Sequence, residues 1–409
     1  MKRRTLFIGI GAVLVLALIA ALIYFVFFAP KTPGIQVGTG QNPFGNAGQV
    51  TSGGDGSGGT GTEGTVEEVA PHLVKITEGP VAYGSLARTL IKKTTTPAQG
   101  TSTATTTVTA TTTEVRYVER VTGNVYAYDS ALHTLTRLTN RTLPGIERAS
   151  FSQDGGTVAL QFLDSETDTI QSYVLPVAND AGGYLLEQNL SQAFVAGSST
   201  LITASPSSSG IIVTSAKLDG TNAKTLFSSV LSAITVLPAA KEYFAYTKPA
   251  SSIDGYGFTV SGNIFTRILG PLRGLTLLPS PSGKTVIYSA LSGNTLKASV
   301  MDVATHTVTP LPLAIAPEKC AWASSETAVY CAVPRSIGGI WPDAWYQGRI
   351  SFSDRIWKID LASRTAVLIV DPAQAAEVDI DAVSLAIDPK SDVLVFTNRN
   401  DGSLWAYDL

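Results

Sequence analysis

Residues 274–312 read GLTLLPSPSGKTVIYSALSGNTLKASVMDVATHTVTPLP, and their reading decides the fold. Runs rich in Leu, Val, Ile and Tyr alternate with turn signals: SPSG, then SGN, then a strand ending in Asp302 and the turn after it. Four short strands within about 40 residues, joined by tight turns, form one antiparallel sheet of the size of a propeller blade.

The two halves of this unit recur along the chain. The strand–turn–strand phrase returns as RASFSQDGGTVALQFLD (148–164), CAWASSETAVYCAV (320–333) and SLAIDPKSDVLVFTNRN (384–400). The Asp-ended phrase returns as NVYAYDSALHTLTRLT (124–139), RIWKIDLASRTAVLIV (355–370) and, truncated, SLWAYDL (403–409). These repeats predict an all-β fold, a seven-bladed β-propeller of four-stranded antiparallel blades over 71–409. The expected blades are 79–139, 147–189, 192–228, 232–269, 272–313, 317–371 and 380–409. The third and fourth are the most divergent, so six and eight are the neighbouring counts. The last blade stops after its third strand, while HLVKITEGP (72–80) has the character of the fourth strands LTRLT and VTPLP. An N-terminal strand is therefore expected to complete the seventh blade and remove an open sheet edge.

The turns Ser152-Gln153-Asp154-Gly155-Gly156, Ser280-Pro281-Ser282-Gly283-Lys284 and Asp388-Pro389-Lys390-Ser391-Asp392, each followed by a β-rich strand, carry a family resemblance. They resemble the blade signature of TolB-type and dipeptidyl-peptidase-type propellers. The resemblance covers the repeated body and implies the propeller fold with a habit of binding proteins or glycans. It brings no chemistry, because the motifs are structural. The Trp-Asp dipeptide of WD-repeat proteins is absent.

Upstream of the repeats, Lys2, Arg3 and Arg4 precede an uncharged apolar run from Leu6 to Phe28. A helix of that length spans the ~30 Å hydrocarbon core with some tilt. Residues 1–30 are thus expected to form a cytoplasmic tip and a transmembrane signal anchor that meets the bilayer through residues 6–28. Cations before the span place the N-terminus in the cytoplasm and the remainder outside it. The rival is a cleaved signal peptide, whose apolar region is shorter, roughly 7–15 residues, and ends at small residues. Here the run ends Phe27-Phe28-Ala29-Pro30. Residues 31–70, rich in Gly, Ser and Thr, read as a flexible tether. A second biased tract, the Thr-rich loop at 94–114, reads either as a solvated extended loop or as a glycosylated stalk.

All 32 acidic residues follow the span, and three of the 29 basic ones precede it, so the outer part is acidic. That composition argues against nucleic acid, which needs a basic patch. Catalytic signals are sparse. No G-x-S-x-G elbow occurs, and the hydrolase domain of dipeptidyl peptidases is missing. His133 and His306 hold equivalent turn positions in two repeats, with Arg364 in a third, and His72 precedes the closing strand. Separate blades are expected to keep the histidines apart, so no metal site, cofactor or catalytic residue is assigned.

Two features rise above this background. Should SSET (324–327) form a hairpin loop, Cys320 and Cys331 face each other across adjacent strands. They are then either a structural disulfide, suited to an oxidising compartment, or two buried thiols. The other feature is an insertion, GGIWPDAWYQGRISFSD (338–354), between the second and third strands of the sixth blade. Such loops surround the channel mouth. Trp341, Asp343, Trp345, Tyr346 and Arg349 are its candidate binding residues, because Trp, Tyr and Arg dominate interface hot spots. The alternative is that the two tryptophans cap the apolar edge of the blade. The expected function is a membrane-anchored extracytoplasmic module that binds a protein or glycan of the cell envelope. The second reading is an enzyme acting on envelope glycan or peptide, with carboxylates gathered at the mouth.

Overall fold

In a computed structural model, residues 62–97, 105–179, 182–240 and 242–409 are described. The expected membrane span at 6–28 and most of the tether lie outside the described residues. Among the described residues, no helix is long and apolar enough to cross a membrane.

The strands form seven antiparallel sheets. Blade one comprises strands Leu86–Pro97, Thr105–Val118, Val125–Asp129 and Thr134–Arg137. Blade two runs from Ile146 to Leu185, blade three from Gln192 to Ser229, blade four from Ile234 to Arg273 and blade five from Thr276 to Pro310. Blade six runs from Cys320 to Val370, and blade seven contributes Ala382–Ile387, Val393–Asn398 and Leu404–Asp408. First strands of most successive blades touch one another, so they line the centre of a ring.

Each blade is sandwiched between two others, and its middle strands are buried on both faces. Val393, Leu394, Val395 and Phe396 are all buried; Leu394 and Phe396 pack toward blade six, Val393 and Val395 toward blade one. Similar apolar layers fill the other interfaces, such as Phe227 with Val236 and Val260 between blades three and four. This two-sided burial explains why the strands read as continuous apolar runs rather than strict alternation.

The chain's first described segment closes the ring. Leu73–Lys75 pairs antiparallel with Leu404–Asp408 and supplies the fourth strand of blade seven. Glu68–Ala70 adds a fifth strand outside it, and Thr62–Thr65 adds a fifth strand to blade one beside Thr134–Arg137. Residues 62–70 are therefore not tether, as their composition suggests. Outer strands need only backbone partners, which a Gly/Thr-rich segment can provide without an apolar pattern.

The Thr-rich tract also departs from expectation. Leu86–Pro97 and Thr105–Val118 pair in unbroken register from Leu86↔Arg116 to Pro97↔Thr105, so its described residues extend blade one as a hairpin rather than a loop. β-Branched Thr favours extended backbone.

Cys320 and Cys331 are direct partners across the first two strands of blade six, with Cα atoms 4.1 Å apart, and are joined by a disulfide at the interface with blade five.

Candidate functional site at the channel mouth

The insertion leaves blade six after Pro334 and returns at Asp354, forming one short helix, Asp343–Tyr346. It folds inward. Trp341 and Trp345 are 4% and 6% exposed and pack with Phe352, Leu296, Ala316 and Val383. The indole N–H of Trp345 donates to Asp381 Oδ2 at 2.9 Å. These two tryptophans thus cap the apolar edge of the ring rather than stand free on its surface.

Beneath them lies a fully buried charge cluster. Lys319 Nζ meets Asp354 Oδ2 at 2.7 Å and also contacts Asp381, with all three side chains sealed from water. The backbone N–H of Ala382 donates to Asp354 at 2.7 Å and that of Phe352 to Asp381 at 3.2 Å. Burial pushes the Asp354 carboxyl up to about 6, against the opposing pull of Lys319. The ammonium also sits 5.3 Å from the Trp345 ring centre. One cation between two carboxylates is the arrangement that buried charge requires. Here it ties the insertion to blades six and seven.

The remaining predicted residues face outward. Asp343 accepts the Ser251 N–H at 2.9 Å, and its carboxyl is held below the usual range chiefly by hydrogen bonding to Ser251. Arg349 is exposed. Asp343, Tyr346 and Gln347 border a cavity of about 750 Å³ shared with the loops of blade four. Tyr346 turns its hydroxyl to Glu318, donating at 2.5 and 2.6 Å, and Tyr246 donates to the same carboxylate at 3.1 Å. Burial raises the Glu318 carboxyl, while the two phenols and Arg148 act against that rise.

Glu318 and Tyr346 open on to a cavity of about 560 Å³ that crosses the ring centre. Tyr83 enters it from blade one, Arg148 and Gln161 from blade two, Gln192 and Phe194 from blade three, and Arg399 from blade seven. Arg399 lies 4.7 Å from the Trp345 ring centre and donates to the Trp345 carbonyl at 2.7 Å, so its guanidinium is fixed by stacking. Arg148 is exposed. Tyr83 is placed by backbone hydrogen bonds to Glu147 and Ala149, and the adjoining Gly84 has φ +107°. A Cβ at that glycine would stand 2.0 Å from the Ala149 carbonyl oxygen. Glu318 is the one carboxylate among the described lining residues. The carboxylates of Asp354 and Asp381 instead face Lys319, under Trp345.

Of the five predicted residues, Trp345 and Tyr346 border this mouth cavity. The sequence reading missed Glu318, Arg148, Gln192 and Arg399. The available signal was position: Arg148 and Gln192 sit on first strands, next to the channel, although the Gln192 amide is bonded to the Val236 backbone of blade four.

The histidines are not all kept apart. His133 and Asp408 approach Glu68 at the seam between blades seven and one, and His72 acts on the same Asp408 carboxylate. The ring closure brings the first and last strands together there, which a reading based on separate blades overlooks.

No family model matches the chain, and no curated protein matches it in sequence. Among solved structures, it is similar to an oligogalacturonate lyase from Vibrio parahaemolyticus at 9% identity, with a TM-score of 0.53, over 86% of this chain and 96% of that one. It is also similar to an oligogalacturonate lyase in complex with manganese, at 10% identity and a TM-score of 0.51, over 80% of this chain and 98% of that one. TolB from Acinetobacter baumannii matches at 10% identity and a TM-score of 0.40, over 69% and 78%. At such identities the likeness to the two lyases is one of fold alone.

Proposed function

We propose that this chain is a membrane-anchored, extracytoplasmic β-propeller that binds a protein or glycan of the cell envelope at its channel mouth. The observation that carries this reading is the cavity of about 560 Å³ across the ring centre. Its size falls in the range of ligand sites, and few polar groups converge among aromatic walls. Tyr83, Phe194 and Tyr346 offer flat apolar faces, and the exposed Arg148 offers hydrogen bonds. Support for the location comes from the apolar run 6–28 behind three cations, and from a disulfide of the kind that persists outside the cytoplasm.

The test uses spheroplasts carrying the full chain and a membrane-impermeant crosslinker added from outside. The expected result is a crosslinked envelope adduct that drops at least tenfold in Arg148→Ala, with thermal stability unchanged. An adduct of equal yield in that variant overturns the mouth as the site. Adducts formed only with a permeant reagent overturn the location.

A second reading, an envelope-processing enzyme, is favoured by one observation: a carboxyl raised by burial, Glu318, held by two phenols at the same mouth. Glycosidase chemistry normally uses two carboxyl groups about 5–9.5 Å apart, and the described lining supplies one. Turnover of isolated envelope glycan that disappears in Glu318→Gln is the result that would place this reading first.

A further inference from the structure

Among the described residues, the strand-ending aspartates follow one rule, from which Asp408 departs. Asp129, Asp164, Asp302 and Asp360, and Asp219 two residues beyond its strand, each turn a carboxylate oxygen back on to amides of their own hairpin turn. Asp408 ends the third strand of blade seven, but the fourth strand of that blade arrives from the other end of the chain. Its backbone N–H donates to the His72 carbonyl at 3.0 Å, and its carboxylate faces outward to the seam. There, one oxygen of Asp408, one oxygen of Glu68 and one ring nitrogen of His133 all lie within 4.8 Å of one another.

We propose that Glu68, His133 and Asp408 form a binding site for a divalent ion of the Zn²⁺ class, which staples the ring closure. Donors sharing such an ion at about 2.0–2.2 Å stand about 3–4 Å apart. Small rotations, chiefly of the exposed Glu68, bring the three atoms to that spacing. An imidazole nitrogen beside carboxylate oxygens selects Zn²⁺ over Mg²⁺ or Ca²⁺, which prefer all-oxygen shells. Two carboxylates balance the charge of the ion, and water completes a four-coordinate shell.

The three ligands come from three segments far apart along the chain or on separate edges of the seam. Glu68 is on the outermost strand of blade seven, His133 on the last turn of blade one, and Asp408 on the final strand. The N–H of Val66 already donates to the His133 carbonyl at 2.7 Å, so the segment carrying Glu68 is threaded past this turn. The ion would lock both outer edges of the seam, where the closing strands are only three residues long.

The test is calorimetric titration of the full chain in detergent, stripped with EDTA, with ZnCl₂ against MgCl₂ and CaCl₂. One Zn²⁺ per chain is expected, with affinity at least tenfold lower in His133→Asn and in Asp408→Asn. Asn is chosen at 133 because it tolerates the positive φ of 50° found there. Zinc should also slow protease cleavage within residues 62–75 of the parent chain and not in the variants. Equal zinc affinity in folded variants, or Mg²⁺ bound as tightly as Zn²⁺, overturns the proposal. Where either variant fails to fold by circular dichroism, Glu68→Gln at the exposed ligand decides by the same tenfold criterion.

Discussion

At the scale of single residues, turn chemistry explains why the repeats could be read at all. The aspartates ending the third strands are conspicuous in sequence because each performs one local task. Backbone amides, led by Thr305 for Asp302 and Ser363 for Asp360, hold these carboxyls below their usual range. The residue that follows four positions later, His133, His306 or Arg364, takes a left-handed conformation, with φ of 50°, 57° and 59°. Their shared backbone role accounts for their equivalent spacing, whatever their side chains do. Gly84 marks the opposite case, a single position invisible to any repeat. Its φ of +107° and the contact of 2.0 Å that a Cβ would make predict that Gly84→Ala destabilises by more than about 1–3 kcal/mol. A urea midpoint equal to that of the parent chain would contradict this.

Among the elements, the blade-six insertion shows where sequence and structure part. Its aromatic composition fits an interface or a cap equally well, and only the partners of Trp345 decide between them. Asp381, Lys319 and Arg399 meet that ring from elements well separated from it along the chain, so no local pattern announces the burial. Trp345→Ala is accordingly expected to cost about 3–5 kcal/mol in chemical denaturation, the range for emptying a large core site. A stable variant with impaired binding would return the residue to the surface role. The blades themselves were legible, since strand, turn and strand repeat within each. The Thr-rich hairpin was not, because uniform Thr gives neither face of a strand an apolar signature to detect. The mouth was equally hidden: Arg148 and Arg399 belong to blades two and seven and Glu318 to the turn leading into blade six, and only the closed ring gathers them.

Across the whole molecule, stability converges on the seam. Leu73 packs toward blade six and Val74 toward blade one, each fully buried, so a three-residue strand is clamped from both sides. Leu73→Ala is predicted to lose about 2–5 kcal/mol. It should also make residues 62–75 cleavable by protease in native buffer, and unchanged protection would argue that the closure stands without this side chain. The same seam sets the order of assembly. Thr77 accepts the N–H of Leu404 across a separation of 327 residues, so the closing strand Leu73–Lys75 meets a partner made much later. Bringing such distant segments together carries a loop-closure entropy cost that local pairing within blades does not, and topologies dominated by distant contacts fold slowly. During synthesis Leu73–Lys75 has Glu68–Ala70 beside it on one edge, but its partner on the other edge, Leu404–Asp408, emerges only with the final blade. Until then the growing protein is an open arc with two bare sheet edges, the period in which it most needs protection from pairing with a neighbour.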